Sequence, residues 1–253
     1  MDYHGLLNLS VELGCQLMES GAEIYRVEDS VLRLMRAYGA QDAQIFAIPG
    51  CITVSVSAEN GEPVTRLCRV DAHNTDLDHL ELCNALCRQL CEQTPPVEQA
   101  RRQLADLRRR RPRFHPIAVM LGYFLIGAFF TPFFGGGLMD ALCGGLCGLA
   151  IYVANRWLAP LAGPNMFFRT LLSAAVSSLA AQLLVYAGVG QHVDTITIGA
   201  LMILVPGVSL TTAMREVMAG DLVSGVSHTA ESILTATAIA LGTGAAMFLG
   251  GLL

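Results

Sequence analysis

The chain has 253 residues, 53% of them hydrophobic and only 15% charged, and its 16 basic residues are all Arg. An average soluble protein is about 45–50% apolar and about 25% charged, so this composition excludes an ordinary soluble domain and excludes disorder. The net charge of -5 argues against a general nucleic-acid binder.

The averages conceal a split. Residues 1–115 hold 13 Arg and 16 Asp or Glu, whereas residues 116–253 hold only 8 charged residues. The expected fold class is an α-helical integral membrane protein with an N-terminal cytoplasmic α+β domain, divided at residues 1–113 and 114–253. The apolar residues run in long blocks rather than short alternating strands, which argues against a β-barrel. No basic-then-apolar leader opens the chain, so no secretory signal is expected. The eight Cys do not suggest a disulfide framework. Cys83, Cys87 and Cys91 share one helical face, Cys143 and Cys147 repeat the same step, and free Cys packs as a small hydrophobe. The close Cys pairs of a zinc site are lacking, so neither a metal nor a cofactor is expected.

In chain order, Leu6, Leu9, Leu13, Leu17 and Met18 give a first amphipathic helix. Ser20-Gly21 interrupts it, and a second helix runs over residues 22–38 to a stop at Gly39. Strands are expected over residues 43–48, 52–58 and 64–70, separated by the turn signals Pro49-Gly50 and Asn60-Gly61. Helices over residues 75–92 and 96–110 complete this part, the first capped by Thr75 or Asp76. The run Arg108–Arg111 with Arg113 then abuts the first apolar block, the position of a topology anchor rather than of a nucleic-acid patch.

Five membrane segments follow, at residues 117–134, 138–158, 167–189, 195–210 and 232–253. About 20 apolar residues span a bilayer, so the fourth is short, and Pro206-Gly207 breaks it. The Arg cluster, Arg156, Arg169 and Arg215 all fall on one side of this arrangement, which puts the N-terminal part in the cytoplasm and the C-terminus outside. Gly144 and Gly148, and Ala236, Ala240 and Gly244, recur at helix-contact spacing and read as stripes for packing within this chain or with a partner.

The stretch from Val205 to Gly225 is the most informative. Pro206 lacks a backbone donor and Gly207 loosens the helix, so carbonyls one turn earlier lose their partners. Gly/Pro-interrupted segments point to transporter sites. Pro206, Gly207, Ser209, Thr211 and Thr212 are therefore candidate substrate contacts, and Arg215 is a candidate ligand for a carboxylate. The competing reading is a Pro-kinked helix with Arg215 as an interfacial anchor. Asp221, Glu231 and Asp140 are acids in or beside apolar segments and so are candidates for ion coupling; a carboxylate favoured by a helix dipole is the alternative for Glu231. Glu23, Tyr25, Arg26 and Glu28 crowd the start of the second helix, where they suit acid–base chemistry or ordinary i, i+3 ion pairs. No phosphate-binding loop, GxGxxG or HExxH occurs, so ATP-driven transport has no support in this chain.

Ser20–Asp29 (Ser-Gly-Ala-Glu-Ile-Tyr-Arg-Val-Glu-Asp) together with Pro206-Gly207, Gly220-Asp221-Leu-Val-Ser-Gly225 and Glu231 resembles the two signatures of the threonine/serine exporter family. The resemblance spans nearly the whole chain. It implies export of threonine and serine or, in a two-subunit branch, succinate, across the bacterial cytoplasmic membrane. The single membrane module is similar to the larger subunit of that split type, which implies a small five-helix partner subunit and an oligomer. His228 departs from the pattern, where Arg is expected. An odd number of segments also suits an inverted pseudo-two-fold pair. Proton coupling is expected, and transport is expected to need no enzymatic activity. The alternatives are a membrane-tethered regulatory or hydrolytic domain, and a structural subunit whose partner contains the pathway.

Overall fold

The computed structural model describes residues 2–57, 61–70, 75–109, 114–158 and 165–251. Asn60 of the expected hairpin turn, Arg110, Arg111 and Arg113 of the basic run, and the last two residues of the fifth segment lie outside the described residues. The chain divides into two compact units. Residues 1–113 with 210–229 form one, and residues 114–209 with 230–253 form the other.

The first unit begins with α1 (Tyr3–Glu19), capped by Asp2, whose side chain accepts from Gly5 N at 2.9 Å. Gly21, at φ 88°, turns the chain into α2 (Ile24–Ala37). Strands β1 (Gln44–Ile48), β2 (Cys51–Ser57) and β3 (Pro63–Arg69) make an antiparallel sheet in the order β1-β2-β3. Helices α3 (Leu77–Gln93) and α4 (Val97–Arg108) follow. The apolar stripe of α1 and Val27, Val31 and Leu34 of α2 close over Ile52, Val54 and Val56 of β2, all fully or almost fully buried. Gly14 lets α1 pass this close, because a Cβ there would run into the Ile52 side chain. Cys83 and Cys87 join the same core, and burial pushes both thiols up to about 12.

The second unit holds α5 (Pro116–Phe133), α6 (Leu138–Val153), α7 (Met166–Tyr186) and α8 (Val193–Leu201). A π-helical turn, Ala154–Leu158, extends α6. Helix α9 (Gly207–Ala219) starts in this unit and continues into the first; α10 (Leu222–Gly250) starts in the first and ends in the second. Four helices among the described residues are long and apolar enough to cross a membrane: Pro116–Phe133, Leu138–Trp157, Met166–Tyr186 and Leu222–Gly250.

Two sequence expectations are refined here. The fourth segment is interrupted, as Pro206-Gly207 implied, but the interruption begins earlier, after Leu201. Helix α8 has nine residues, the N–H groups of Ile203 and Leu204 bond three residues back to Ala200 and Leu201, and the α pattern resumes only at Gly207. Helix α10 begins ten residues before the expected fifth segment because Asp221 accepts from Ser224 N at 3.3 Å at its first turn.

Glycine decides the packing of the second unit. A Cβ on Gly127 would meet the Gly144 carbonyl, and one on Gly144 would meet Thr131 Oγ1, so α5 and α6 touch backbone to backbone. Within this chain α10 does not pack through Ala236, Ala240 and Gly244, which are exposed. Its buried positions are Ser232, Thr235, Ala238, Gly242 and Ala246, and a Cβ on Gly242 would meet the Leu171 carbonyl. Gly144→Leu is therefore expected to destabilise the protein by about 1–3 kcal/mol through overpacking. Gly244→Ala, with nothing within 4 Å of the added Cβ, is expected to be neutral. Thermal melts of the two variants in the same detergent check the contrast.

Candidate functional site

The first signature forms the entry to α2. Glu23 occupies the N-cap position but makes no side-chain capping bond. Its carboxylate is committed elsewhere: Oε2 accepts from Arg26 Nη1 at 3.2 Å and Oε1 from Arg215 Nη1 at 3.1 Å. Burial raises the Glu23 pKa, but the backbone hydrogen bond, Arg215 and Arg26 outweigh it and hold it below the usual value. The first N–H groups of a helix have no intrahelical acceptor. At α2 a distant residue supplies one, because Ile24 N donates to Glu216 Oε1 at 3.1 Å.

Glu216 lies on α9 and is fully buried. Its second oxygen, Oε2, sits 2.7 Å from Nδ1 of His228, which is on the first turns of α10. One carboxylate thus joins the start of α2, α9 and α10. The two signatures, 192 positions apart along the chain, meet at Glu23–Arg215 and at Ile24–Glu216. Glu28 belongs to the same neighbourhood. It accepts from Ala47 N at 2.7 Å, and burial, with Asp221 adding to it, raises its pKa against that hydrogen bond. Tyr25 is 38% exposed at the surface of α2.

The remaining candidates are not gathered here. Pro206 and Ser209 are half-buried and Gly207 exposed in the second unit; Thr212 is half-buried and Thr211 exposed on α9. Asp140 belongs to the second unit. Its carboxylate accepts from Gly137 N, Gln191 N and His192 N and pairs with His192 Nδ1 at 2.8 Å, which ties the start of α6 to the segment before α8. Glu231 is exposed, and its carbonyl accepts from Thr235 Oγ1 at 3.0 Å. Two buried hydroxyls of the second unit, Ser177 Oγ and Thr197 Oγ1, have no hydrogen-bond partner among the described residues.

Sequence reasoning did not assign a role to Glu216. Its signal was present: an acid beside Arg215 on a helix whose other positions are mostly apolar. Removing one partner of a buried pair costs about 3–5 kcal/mol because the other charge is left uncompensated. His228→Ala is expected to cost about that much stability, and His228→Arg to restore most of it; thermal melts of the two variants read the difference. Glu23 gives a pH dependence. Its folded pKa is lowered, so its contribution is complete above the ordinary carboxylate range and is lost as pH falls through the folded value. Acid titration of stability should show this loss, and Glu23→Gln should flatten it.

The profile of the family described as threonine/serine exporter matches residues 8–250. The chain is 21% identical over 245 residues to the threonine/serine exporter of Corynebacterium glutamicum, covering 95% of this chain and 50% of that protein. It is 26% identical over 223 residues to pheromone-regulated membrane protein 10 of Debaryomyces hansenii, with 83% of this chain and 21% of that protein covered. The protein of the same name in Candida albicans is 25% identical over 221 residues, with 83% and 19% covered. The chain therefore spans half or less of the length of these relatives. No solved structure matches it. The match across nearly every element, from the middle of α1 to the end of α10, places this chain in the threonine/serine exporter family.

Proposed function

We propose that the chain is the larger subunit of a secondary exporter that carries a small carboxylate-bearing metabolite out across the bacterial cytoplasmic membrane. Threonine, serine or a dicarboxylate such as succinate is the substrate class. The single observation that carries this reading is the interruption between Leu201 and Gly207, in the apolar unit of a threonine/serine exporter family member. Non-helical backbone at membrane depth is tolerated only where protein or water satisfies it, and such breaks mark substrate sites. In this reading α8 and the break form the fourth of five segments, the N-terminal α+β part is cytoplasmic and the C-terminus is outside.

The side chains support a carboxylate substrate. Arg215 already holds the Glu23 carboxylate, while 66% of its side chain stays exposed, so a substrate carboxylate can share or replace that partner. Ser209, Thr211 and Thr212 offer hydroxyls just after the break in the chain. Asp221, Glu231 and Asp140 are the acids proposed for proton coupling. A small five-helix subunit completes the pathway, with inverted topology relative to this chain. A tethered hydrolytic domain has less support: both Glu23 oxygens are paired with Arg and Glu28 is bonded to Ala47 N.

Counterflow in proteoliposomes tests the proposal, with this chain alone and with the small subunit encoded beside it, across amino acids and dicarboxylates. Saturable counterflow of threonine, serine or succinate is expected. Arg215→Ala is expected to reduce it at least about tenfold, the loss of one charge-assisted pair, with insertion unchanged. Unchanged counterflow in that variant removes Arg215 from the site, and no counterflow of any carboxylate in either preparation overturns the assignment.

A further inference from the structure

A second polar site lies in the first unit, among residues with no part in the export reading. Helix α1 packs against β3 on one side and α4 on the other. Between them a cleft of about 270 Å³ opens, lined by Asn8 and Glu12 of α1, Arg66 and Cys68 of β3, and Arg101 and Arg108 of α4. The spacing dictates the convergence. Asn8 and Glu12 are one helical turn apart, Arg101 and Arg108 two turns apart, and Arg66 and Cys68 alternate onto one face of β3.

The charge balance is uneven: three guanidinium groups face one carboxylate. Arg108 pairs with Glu19 at 3.2 Å and Arg101 with Glu98 at 3.5 Å, with both partners substantially exposed. Exposed pairs of this kind are weak and exchange readily. Arg66 and Glu12 make no ion pair among the described residues. Arg101 Nε is buried without a hydrogen-bond partner among the described residues. Arg66 also breaks a pattern. It sits across from buried Val54, in line with Val64 and Cys68, on the side of β3 that faces the core. An Arg at such a position, at the mouth of a cleft, serves a ligand better than it serves packing.

We propose that this cleft binds a metabolite-sized dianion, a dicarboxylate or a phosphate, through Arg66, Arg101 and Arg108. Planar guanidinium forks match both oxyanions with paired hydrogen bonds. The volume lies just below the range of drug-sized pockets, which suits a small metabolite. Asn8 adds an amide to the lining, and Glu12 disfavours ligands that bring more acid than the three Arg can neutralise. Cys68 lines the cleft and reports on occupancy. Cys51 is an internal control, because Ile52, not Cys51, is the cross-strand partner of Cys68, so Cys51 faces the other side of the sheet.

The test uses the full chain in nanodiscs, with malate and inorganic phosphate as probes, threonine as a monocarboxylate and sodium chloride at matched ionic strength. Alkylation by N-ethylmaleimide is read at each Cys by peptide mass spectrometry, and affinity by calorimetric titration. Malate or phosphate is expected to slow alkylation of Cys68 but not of Cys51, and the tighter of the two identifies the source of the dianion. Arg66→Gln and Arg101→Gln are each expected to weaken binding about tenfold, the loss of one charge-assisted contact, and Arg66→Lys less. Melting temperatures without ligand identify whichever variant stays folded. No protection of Cys68 by either dianion, protection unchanged in a folded variant, or protection of Cys68 by threonine as strong as by malate overturns the proposal. None of these readouts involves export.

Discussion

The first unit depends on a single buried carboxylate. Glu216 is fully inaccessible, yet both its oxygens are engaged, one by Ile24 N and the other by His228 Nδ1. Burying an ionised carboxylate costs several kcal/mol unless it is compensated. Compensation comes from two directions: the amide at the positive end of α2 and an imidazole on α10. Each partner also needs the carboxylate. The α2 N-terminus has no capping side chain of its own, because Glu23 is held by Arg26 and Arg215. This mutual need explains why residues 210–229 belong with the first 113 rather than with the apolar unit from which they emerge.

The arrangement inverts α9 relative to a helix of a soluble protein. Ala213 and Glu216 are buried while Met214 and Met218 are exposed. A soluble helix hides its large apolar side chains and shows its acids; α9 does the reverse, as suits a segment next to a membrane. The position of Glu216 beside Arg215 was legible in the sequence, but its burial and its two partners were not, because they come from α2 and α10. The pair Glu23–Arg215 was equally hidden, because nothing local links positions 192 residues apart.

Where one physical cause dominated, the sequence was readable. The stripe Leu6, Leu9, Leu13 and Leu17 and the alternation Ile52, Val54 and Val56 each serve one core, and each appears buried as its period requires. The Cys at i, i+4 spacing are core side chains for the same reason. Reading was incomplete where several causes competed. In α10, Ala, Gly, Ser and Thr are so frequent that more than one small-residue stripe can be drawn. Contact with α7, seen in the Gln182 Nε2 bond to the Ala246 carbonyl at 3.0 Å, selects the one through Gly242 and Ala246. In the fourth segment, Pro206-Gly207 marked an interruption but did not show that it begins after Leu201.

His228 follows from the same constraint. The family pattern led us to expect Arg there, a cation at every physiological pH. His228 Nδ1 lies 2.7 Å from Glu216 Oε2, and an imidazole can hold that contact in two ways. Its Nδ1–H donates when the ring is charged and also when it is neutral in the Nδ1–H tautomer. In the charged form the ring balances the carboxylate. In the neutral form it keeps the hydrogen bond but leaves the charge to the α2 N-terminus, with Glu23, Arg26 and Arg215 around it and Glu28 and Asp221 adding negative charge nearby. The contact that joins α2, α9 and α10 therefore needs only an Nδ1–H on the ring.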